Sequence, residues 1–173
     1  MSDRRLQDLL DKQEIHELVL RYCRGVDRKD PDLLRSLYTR DAADHHGTVF
    51  SGSAEDYIGF LEESLEFIRI GAHYVCNHLV VVEGDHAYGE VYALGYHVLP
   101  GHGPDGPDTE SFVGVRYLDR YRREDECWRF EHREVVFDLD RTRPVDHRGA
   151  PGGPPADDPS YSLAAPLFRR HTP

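Results

Sequence analysis

The chain has 173 residues, enough for one domain with a hydrophobic core. Its composition, with 39% hydrophobic and 31% charged residues, is typical of a globular protein and excludes a largely disordered chain. The formal net charge of -11 argues against nucleic-acid and anionic-lipid partners, because a strongly acidic surface repels phosphate groups. No stretch approaches the roughly 20 consecutive apolar residues that a membrane-spanning helix needs. We therefore expect a soluble, cytoplasmic protein that binds neither nucleic acid nor membrane.

The N-terminal part of the chain has a helical period. Apolar residues recur at spacings of three and four from Leu6 to Val26, which predicts an amphipathic helix. Asp30 followed by Pro31 is typical of a helix start, because the carboxylate caps free amides and proline fits the first turn. A second, short helix is therefore predicted directly after the first.

A short strand pair and a third helix come next. Residues 41–50 indicate two short strands around Gly47. Ser53, followed by two acidic residues, predicts the N-terminus of a third helix, whose last apolar position is Ile68. The chain thus begins with three helices and one short strand pair.

From Ala72 the hydrophobic period becomes that of strands. Two long hairpins are predicted, with tight turns at residues 83–85 and 124–126. Because the helices and the long strands occupy separate parts of the chain, the predicted fold class is α+β. Residues 1–140 form the predicted domain.

After Asp140 the chain becomes rich in Pro, Gly and Asp. This composition predicts a tail, residues 141–173, that is irregular or laid across the surface. Four hydrophobic residues are candidate anchors for it: Tyr161, Leu163, Leu167 and Phe168.

Two residues are candidates for acid-base chemistry. Asp27 ends the first predicted helix, where the helix dipole disfavours a carboxylate and raises its basicity; the alternative is a solvated acid in a turn. His73 begins a strand, and strand alternation places Val75 and Asn77 on its face. This face predicts a pocket with a few polar groups, or alternatively a core histidine with satisfied hydrogen bonds.

Arg133 is a third candidate. Strand alternation places it on one face with Val135 and Phe137, and a buried arginine needs an anion or a ring of acceptors. The alternative is a solvated strand face, and a β-bulge would exchange the two faces.

We expect no metal and no cofactor. His45 and His46 are adjacent, so in a strand they point in opposite directions and cannot both bind one ion. The three cysteines match neither a metal-binding spacing nor a disulfide framework. The chain also lacks a phosphate-binding loop, a dinucleotide fingerprint and a nucleophile elbow.

Three segments resemble the SnoaL-like branch of the nuclear transport factor 2-like superfamily: LQDLLDKQEIHELVLRYCRGVDRKDPDLLRSLYTRDA, HYVCNHLVVV and YLDRYRREDECWRFEHREVVF. The resemblance covers roughly residues 5–140. It implies a curved antiparallel sheet packed on three N-terminal helices, forming a cone with one deep pocket, and it implies a homodimer or homotrimer. The superfamily includes polyketide cyclases, scytalone and bile-acid dehydratases, steroid isomerases and the lindane dehydrochlorinase.

The resemblance also implies a catalytic set. Asp27 and His73 match the histidine-aspartate base of the dehydratases and the dehydrochlorinase. Tyr22 lies where the dehydratases place a tyrosine and the dehydrochlorinase a lysine, and Arg133 matches a pocket arginine. The missing lysine argues against dehydrochlorination. Five further residues are expected to line the pocket: Tyr38, Tyr57, Val75, Asn77 and Phe137.

These features lead to one hypothesis and two alternatives. The hypothesis is a cofactor-independent, dehydratase-like lyase or isomerase that acts on a small hydrophobic, cyclic or polycyclic metabolite through a His-Asp general base. The first alternative is a non-catalytic protein that binds such a molecule. The second is the small subunit of a ring-hydroxylating dioxygenase, which shares the cone fold and would need a large iron-bearing partner.

Overall fold

A computed structural model describes residues 3–101, 106–145 and 158–163. Its helices are α1 (Asp3–Asp27), α2 (Pro31–Leu37), α3 (Ala54–Leu65) and the short α4 (Ser160–Leu163). Its strands are β1 (Tyr38–His46), β2 (Phe50–Ser53), β3 (Ile70–Glu83), β4 (His86–Leu99), β5 (Asp108–Glu124) and β6 (Cys127–Val145). None of these helices is long and apolar enough to cross a bilayer.

The six strands form one curved sheet in the order β2-β1-β6-β5-β4-β3. Neighbouring strands are antiparallel except β1 and β6, which run parallel. The two long hairpins turn where the sequence predicts them, and Gly84 supplies the positive φ of 66° that the first turn requires. Helices packed against this mostly antiparallel sheet confirm the predicted α+β fold.

The core lies between the helices and the inner face of the sheet. Ile15, Val19 and Tyr22 are almost fully buried on α1, at the helical spacing expected from the sequence. The predicted apolar stripe begins too early, however: Leu6 and Leu9 are exposed, because the first turns of α1 lie outside the core.

Both predicted helix caps are present. Asp30 Oδ1 accepts a hydrogen bond from the Leu33 amide at 3.1 Å, and Ser53 Oγ accepts one from the Asp56 amide at 3.1 Å. The third helix ends at Leu65, earlier than the sequence pattern indicates.

Three β-bulges in the long strands change which side chains face the core. In β3 the pairing register shifts between Val75 and His78, so Asn77 is exposed and His78 takes the inward position. In β6 the extra residues are Glu131 and Asp138, where the pairing with β5 shifts twice. Simple alternation fails at these points, but the face predicted for Arg133, Val135 and Phe137 lies between the two bulges of β6 and is present.

The predicted tail begins five residues too early, because β6 continues through residue 145 and residues 141–145 pair with β5. Residues 158–163 lie against α1 and α2: Arg24 Nη2 donates to Ser160 Oγ at 2.8 Å, and Tyr161 Oη donates to Asp30 Oδ2 at 3.1 Å. Leu163 is 86% exposed and anchors nothing. The other two candidate anchors, Leu167 and Phe168, lie outside the described residues.

Candidate active site

A cavity of about 240 Å³ lies between α1, α3 and the inner face of the sheet. Most of its lining is apolar or aromatic. Its polar groups come from seven side chains: Tyr22, His46, Tyr57, Ser64, His73, His97 and Tyr117. A small, largely apolar cavity with a few polar groups is typical of a binding site for a small organic molecule.

His73 and Asp27 form a hydrogen-bonded pair at the cavity wall. The His73 Nδ1 atom lies 2.6 Å from Asp27 Oδ1, and the His73 amide donates to Asp27 Oδ2 at 3.0 Å. Both carboxylate oxygens thus hold one residue, which fixes the orientation of the ring. When Nδ1 carries the proton and donates to Asp27, the Nε2 atom is left as a hydrogen-bond acceptor and base.

Gly95 on β4 keeps the space near this base open. A Cβ atom at residue 95 would lie 3.7 Å from His73 Nε2 and 3.2 Å from His97 Cε1. A larger side chain at residue 95 would therefore narrow the cavity beside the base.

His97 contacts the base edge-on, with ring centroids 5.3 Å apart. Burial lowers the pKa of His97 to about 4, and the neighbouring His73 acts in the same direction. His97 is therefore neutral at physiological pH and contributes hydrogen-bonding capacity without charge.

A second polar group borders the same cavity; the sequence analysis named its tyrosines, Tyr22, Tyr38 and Tyr57, but missed His46 and Asp44. Tyr57 Oη lies 2.9 Å from Tyr22 Oη and 3.0 Å from His46 Nε2. On the far side of the ring, His46 Nδ1 lies 2.5 Å from Asp44 Oδ1, and Tyr38 Oη donates to Asp44 Oδ2 at 2.6 Å. These residues form a continuous hydrogen-bonded chain from the buried Asp44 to the cavity.

Burial raises the pKa of Tyr22 and of Tyr57 well above the ordinary tyrosine range, and the charge of Asp44 adds to the effect. Both tyrosines therefore keep their protons and serve as hydrogen-bond donors. When His46 Nε2 carries a proton and donates to Tyr57, the tyrosine pair keeps a hydroxyl proton that can be donated to a ligand.

Arg133 lies behind the cavity surface and not in it. Its guanidinium is fully buried and donates from Nε and Nη2 to the two oxygens of Asp119, each at 2.8 Å. The guanidinium carbon lies 4.1 Å from the ring centroids of both Tyr22 and Tyr117, which border the cavity. Arg133 therefore does not border the cavity as a pocket arginine would; it packs against the aromatic rings that do.

The five predicted pocket residues occupy different places. Tyr57 and Phe137 border the cavity. Tyr38 is buried one layer behind it, in contact with Asp44. Val75 borders an outer groove, and Asn77 points to solvent because of the bulge in β3.

The outer groove, of about 530 Å³, runs along α1 and shares His73 and Asp27 with the active-site region. Three arginines line it: Arg21 and Arg24 of α1, and Arg28 directly after the helix. His73 thus lies between the cavity and the outer groove and borders both. Within the described residues, the side chains bordering the inner cavity offer no set of three metal-ligating atoms within reach of one ion.

Residues 7–134 match the SnoaL-like domain family. The chain belongs to the SnoaL-like family. This assignment agrees with the fold, in which the helices and the long hairpins that build the cavity all fall largely within the matched range. No curated protein matches this SnoaL-like chain.

Several solved structures share the fold. The Kfla4162 protein from Kribbella flavida is 25% identical, with a TM-score of 0.69 over 76% of this chain and 93% of that one. A candidate scytalone dehydratase from Novosphingobium aromaticivorans DSM 12444 is 23% identical, with a TM-score of 0.68 over 84% and 95%. A type 2 hexachlorocyclohexane dehydrochlorinase, LinA, is 20% identical, with a TM-score of 0.73 over 85% and 98%. At these identities the last two likenesses concern the fold alone.

Proposed function

We propose that this SnoaL-like protein is a cofactor-independent lyase or isomerase of the dehydratase type, acting on a small hydrophobic cyclic molecule. The observation that carries the proposal is the His73–Asp27 pair, joined at 2.6 Å in the wall of a mainly apolar cavity. The fold is shared with a dehydrochlorinase and a candidate dehydratase, which supports elimination chemistry.

His73 acts as the base in this proposal. Its Nε2 atom removes a proton from a carbon next to a carbonyl or ring, and Asp27 stabilises the imidazolium that forms. Positioned general-base catalysis of this kind contributes about 10²- to 10⁴-fold to a rate. The electron pair left on carbon then expels a neighbouring hydroxyl, which takes up a proton and leaves as water. In an isomerisation the pair instead shifts the double bond, and His73 returns the proton to the far carbon.

Tyr22, Tyr57 and His46 handle the oxygen in this proposal. The tyrosine hydroxyls donate to the oxygen on which negative charge develops, which is worth about 10²- to 10³-fold for a well-placed donor. His46 is held at Nδ1 by the fully buried Asp44 at 2.5 Å, and in this step its Nε2 atom carries a proton and donates to Tyr57. Tyr57 passes its own proton to the departing or developing oxygen and takes the proton of His46 in its place. Two histidine-carboxylate pairs at one cavity thus divide the roles of base and acid.

The size of the cavity narrows the substrate class. At about 240 Å³ it lies just below the roughly 300 to 1,000 Å³ typical of sites for drug-sized ligands. The cavity therefore favours a compound with one or two rings over a larger polycycle.

The test is a panel of hydroxylated one- and two-ring ketones, scored for binding by calorimetry and for loss of water by absorbance and mass spectrometry. His73→Ala and Asp27→Asn should each lower turnover by about 10²-fold or more while changing ligand affinity little, because the base acts in the transition state. Tyr57→Phe should lower turnover through loss of its hydroxyl. His86→Ala, an exposed histidine on β4, is the matched control and should keep full activity.

Two results would oppose the proposal. One is full turnover in His73→Ala. The other is a ligand that wild type binds tightly and never converts, with equal affinity in His73→Ala; this would favour the non-catalytic binding protein.

A further inference from the structure

Three side chains meet on the outer face of the sheet, on the side opposite the cavity. His45 lies on β1, and His132 and Glu134 lie on β6. In the parallel pairing of these strands His45 stands opposite Glu134, and residues two apart on a strand share a face. All three side chains therefore project from the same side of two adjacent strands.

Their ligand atoms form a compact group. One nitrogen or oxygen from each residue lies within 4.8 Å of the other two. His45 Nδ1 is 3.2 Å from Glu134 Oε2, and His132 Nε2 is 4.0 Å from the same oxygen. Ligand atoms around a tetrahedral zinc ion lie about 3.3 Å apart, as follows from metal-ligand bonds of about 2.0 to 2.1 Å. The His45–Glu134 distance is close to this spacing, and the His132–Glu134 distance exceeds it.

We propose that His45, His132 and Glu134 form a binding site for a divalent transition-metal ion, best suited to zinc. Two imidazoles and one carboxylate are ligands that zinc and its neighbours prefer, whereas magnesium and calcium prefer oxygen alone. Three protein ligands leave one tetrahedral position open for water. The site is separate from the cavity and independent of the function proposed for it.

The surroundings indicate a site of moderate affinity. Side-chain exposures of 36% for His45, 23% for His132 and 43% for Glu134 let an ion enter without any opening of the fold. The carboxylate contributes a negative charge, while Arg120, the β5 partner of His132, contributes an opposing positive charge. Solvent access and this arginine both weaken the attraction for a cation.

The sequence analysis missed this group because it considered His45 only with its neighbour His46. Alternation in β1 directs His46 toward the cavity and His45 to the outer face. β6 supplies the two partners of His45, which are His132 and Glu134. The sequence shows that one residue separates these two, but it does not show that they meet His45 until β1 and β6 are known to pair.

A bound ion would connect β1 to β6. This connection has a structural consequence, because Asp44 and His46 of the cavity flank His45 on the same strand. An ion at His45 holds this strand in its register against β6, so metal binding should raise thermal stability as well as give a calorimetric signal.

The experiment is a titration of metal-free protein with zinc chloride, measured by isothermal calorimetry. Thermal unfolding is then compared with and without zinc. We expect one equivalent to bind and the unfolding midpoint to rise. His45→Ala and His132→Ala should each weaken binding by about tenfold or more, since even outer partners of metal ligands contribute 10- to 100-fold. Glu134→Gln, which keeps the side-chain shape, should do the same.

The controls separate this site from other histidines. His86→Ala removes an exposed histidine elsewhere and should leave zinc binding unchanged. Magnesium chloride should give no comparable binding or stabilisation. Absence of zinc binding to the folded wild type would overturn the proposal. Zinc binding of equal strength in His45→Ala, His132→Ala and Glu134→Gln would also overturn it, because the ion would then lie elsewhere.

Discussion

At the residue scale, burial sets the charge of two histidines on the inner side of the sheet. The pKa of His97 is lowered to about 4 by burial and by His73, and the pKa of His78 is lowered to about 4 by burial and by His16. In the unfolded chain an ordinary histidine titrates near 6.5. Each of these side chains is therefore easier to protonate after unfolding than before.

This difference predicts how stability changes with pH. Above about pH 6.5 both states of His97 are neutral and the residue adds no pH dependence. As the pH falls from 6.5 toward 4, His97 binds a proton in the unfolded chain but stays neutral in the folded chain. The free energy of unfolding therefore decreases. His97→Gln should flatten the loss of stability between pH 7 and pH 5, measured by urea unfolding at each pH. His78 is present in both wild type and His97→Gln, so its contribution is the same in the two proteins. An equal or steeper loss of stability in His97→Gln would contradict the lowered pKa of His97.

The sequence predicted one half of the site better than the other. The contact between Asp27 and His73 joins residues 46 positions apart, and it was found because a family resemblance supplied the pairing. The contact between Asp44 and His46 could have been predicted locally, since residues two apart in a strand share a face. The role of this pair in the cavity depends on its contacts with Tyr22 and Tyr57, which come from two different helices. Neither spacing nor composition indicates that those helices bring their hydroxyls to β1.

At the element scale, the crossing of α1 and α2 requires a residue without a side chain. A Cβ atom at Gly25 would lie 2.7 Å from Leu34 Cδ2 and 2.9 Å from Leu34 Cγ. Leu34 is 1% exposed and cannot move into solvent. The Asp30 amide also donates to the Gly25 carbonyl at 2.8 Å, which ties the start of α2 to the end of α1.

Gly25→Ala should therefore destabilise the protein by about 1 to 3 kcal/mol, because overpacking outweighs the gain in helix propensity. The matched control is Gly59→Ala in α3, where an added Cβ meets nothing within 4 Å. That substitution should stabilise the protein by about 0.5 to 1 kcal/mol. Urea unfolding measures the free energy of unfolding of both variants. Changes of equal size and the same sign in Gly25→Ala and Gly59→Ala would contradict the packing argument.

Strand alternation predicted the long strands well and their inward faces in part. The order of apolar residues located both hairpins and placed Arg133, Val135 and Phe137 on one face, which the structure confirms. An extra residue in β3 reversed the faces beyond Val75. Asn77 was placed in the pocket on this ground and is exposed. A bulge leaves no mark in composition, since it depends on how two strands fit the curvature of the sheet.

At the scale of the whole molecule, residues 158–163 pack beside the helices without entering the core. Arg28 Nε lies 3.2 Å from Asp158 Oδ2, and Tyr161 donates to Asp30. Pairs as exposed as the first contribute about 0 to 1 kcal/mol each. This segment therefore adds little to the stability of the sheet and helices.

A chain that ends at Val145 should keep cooperative thermal unfolding, with a midpoint only a few degrees below that of the full chain. A chain that ends at Asp140 should lose more, because residues 141–145 pair with residues 108–112 of β5. Tyr161→Phe removes only the hydrogen bond to Asp30 and controls for that contact. Loss of cooperative unfolding on removal of everything after Val145 would mean that the tail completes the core.

The position of His73 between two spaces has a consequence for the proposed reaction. Its ring borders the cavity, while Asp27, which holds the ring at Nδ1, borders the outer groove. A hydrogen that Nε2 takes from a bound molecule stays on the cavity side, whereas the Nδ1 proton can pass through Asp27 to water on the groove side. The two ring protons therefore exchange on different sides of His73, and a label carried by the abstracted hydrogen stays on Nε2, from which it can return to the same bound molecule.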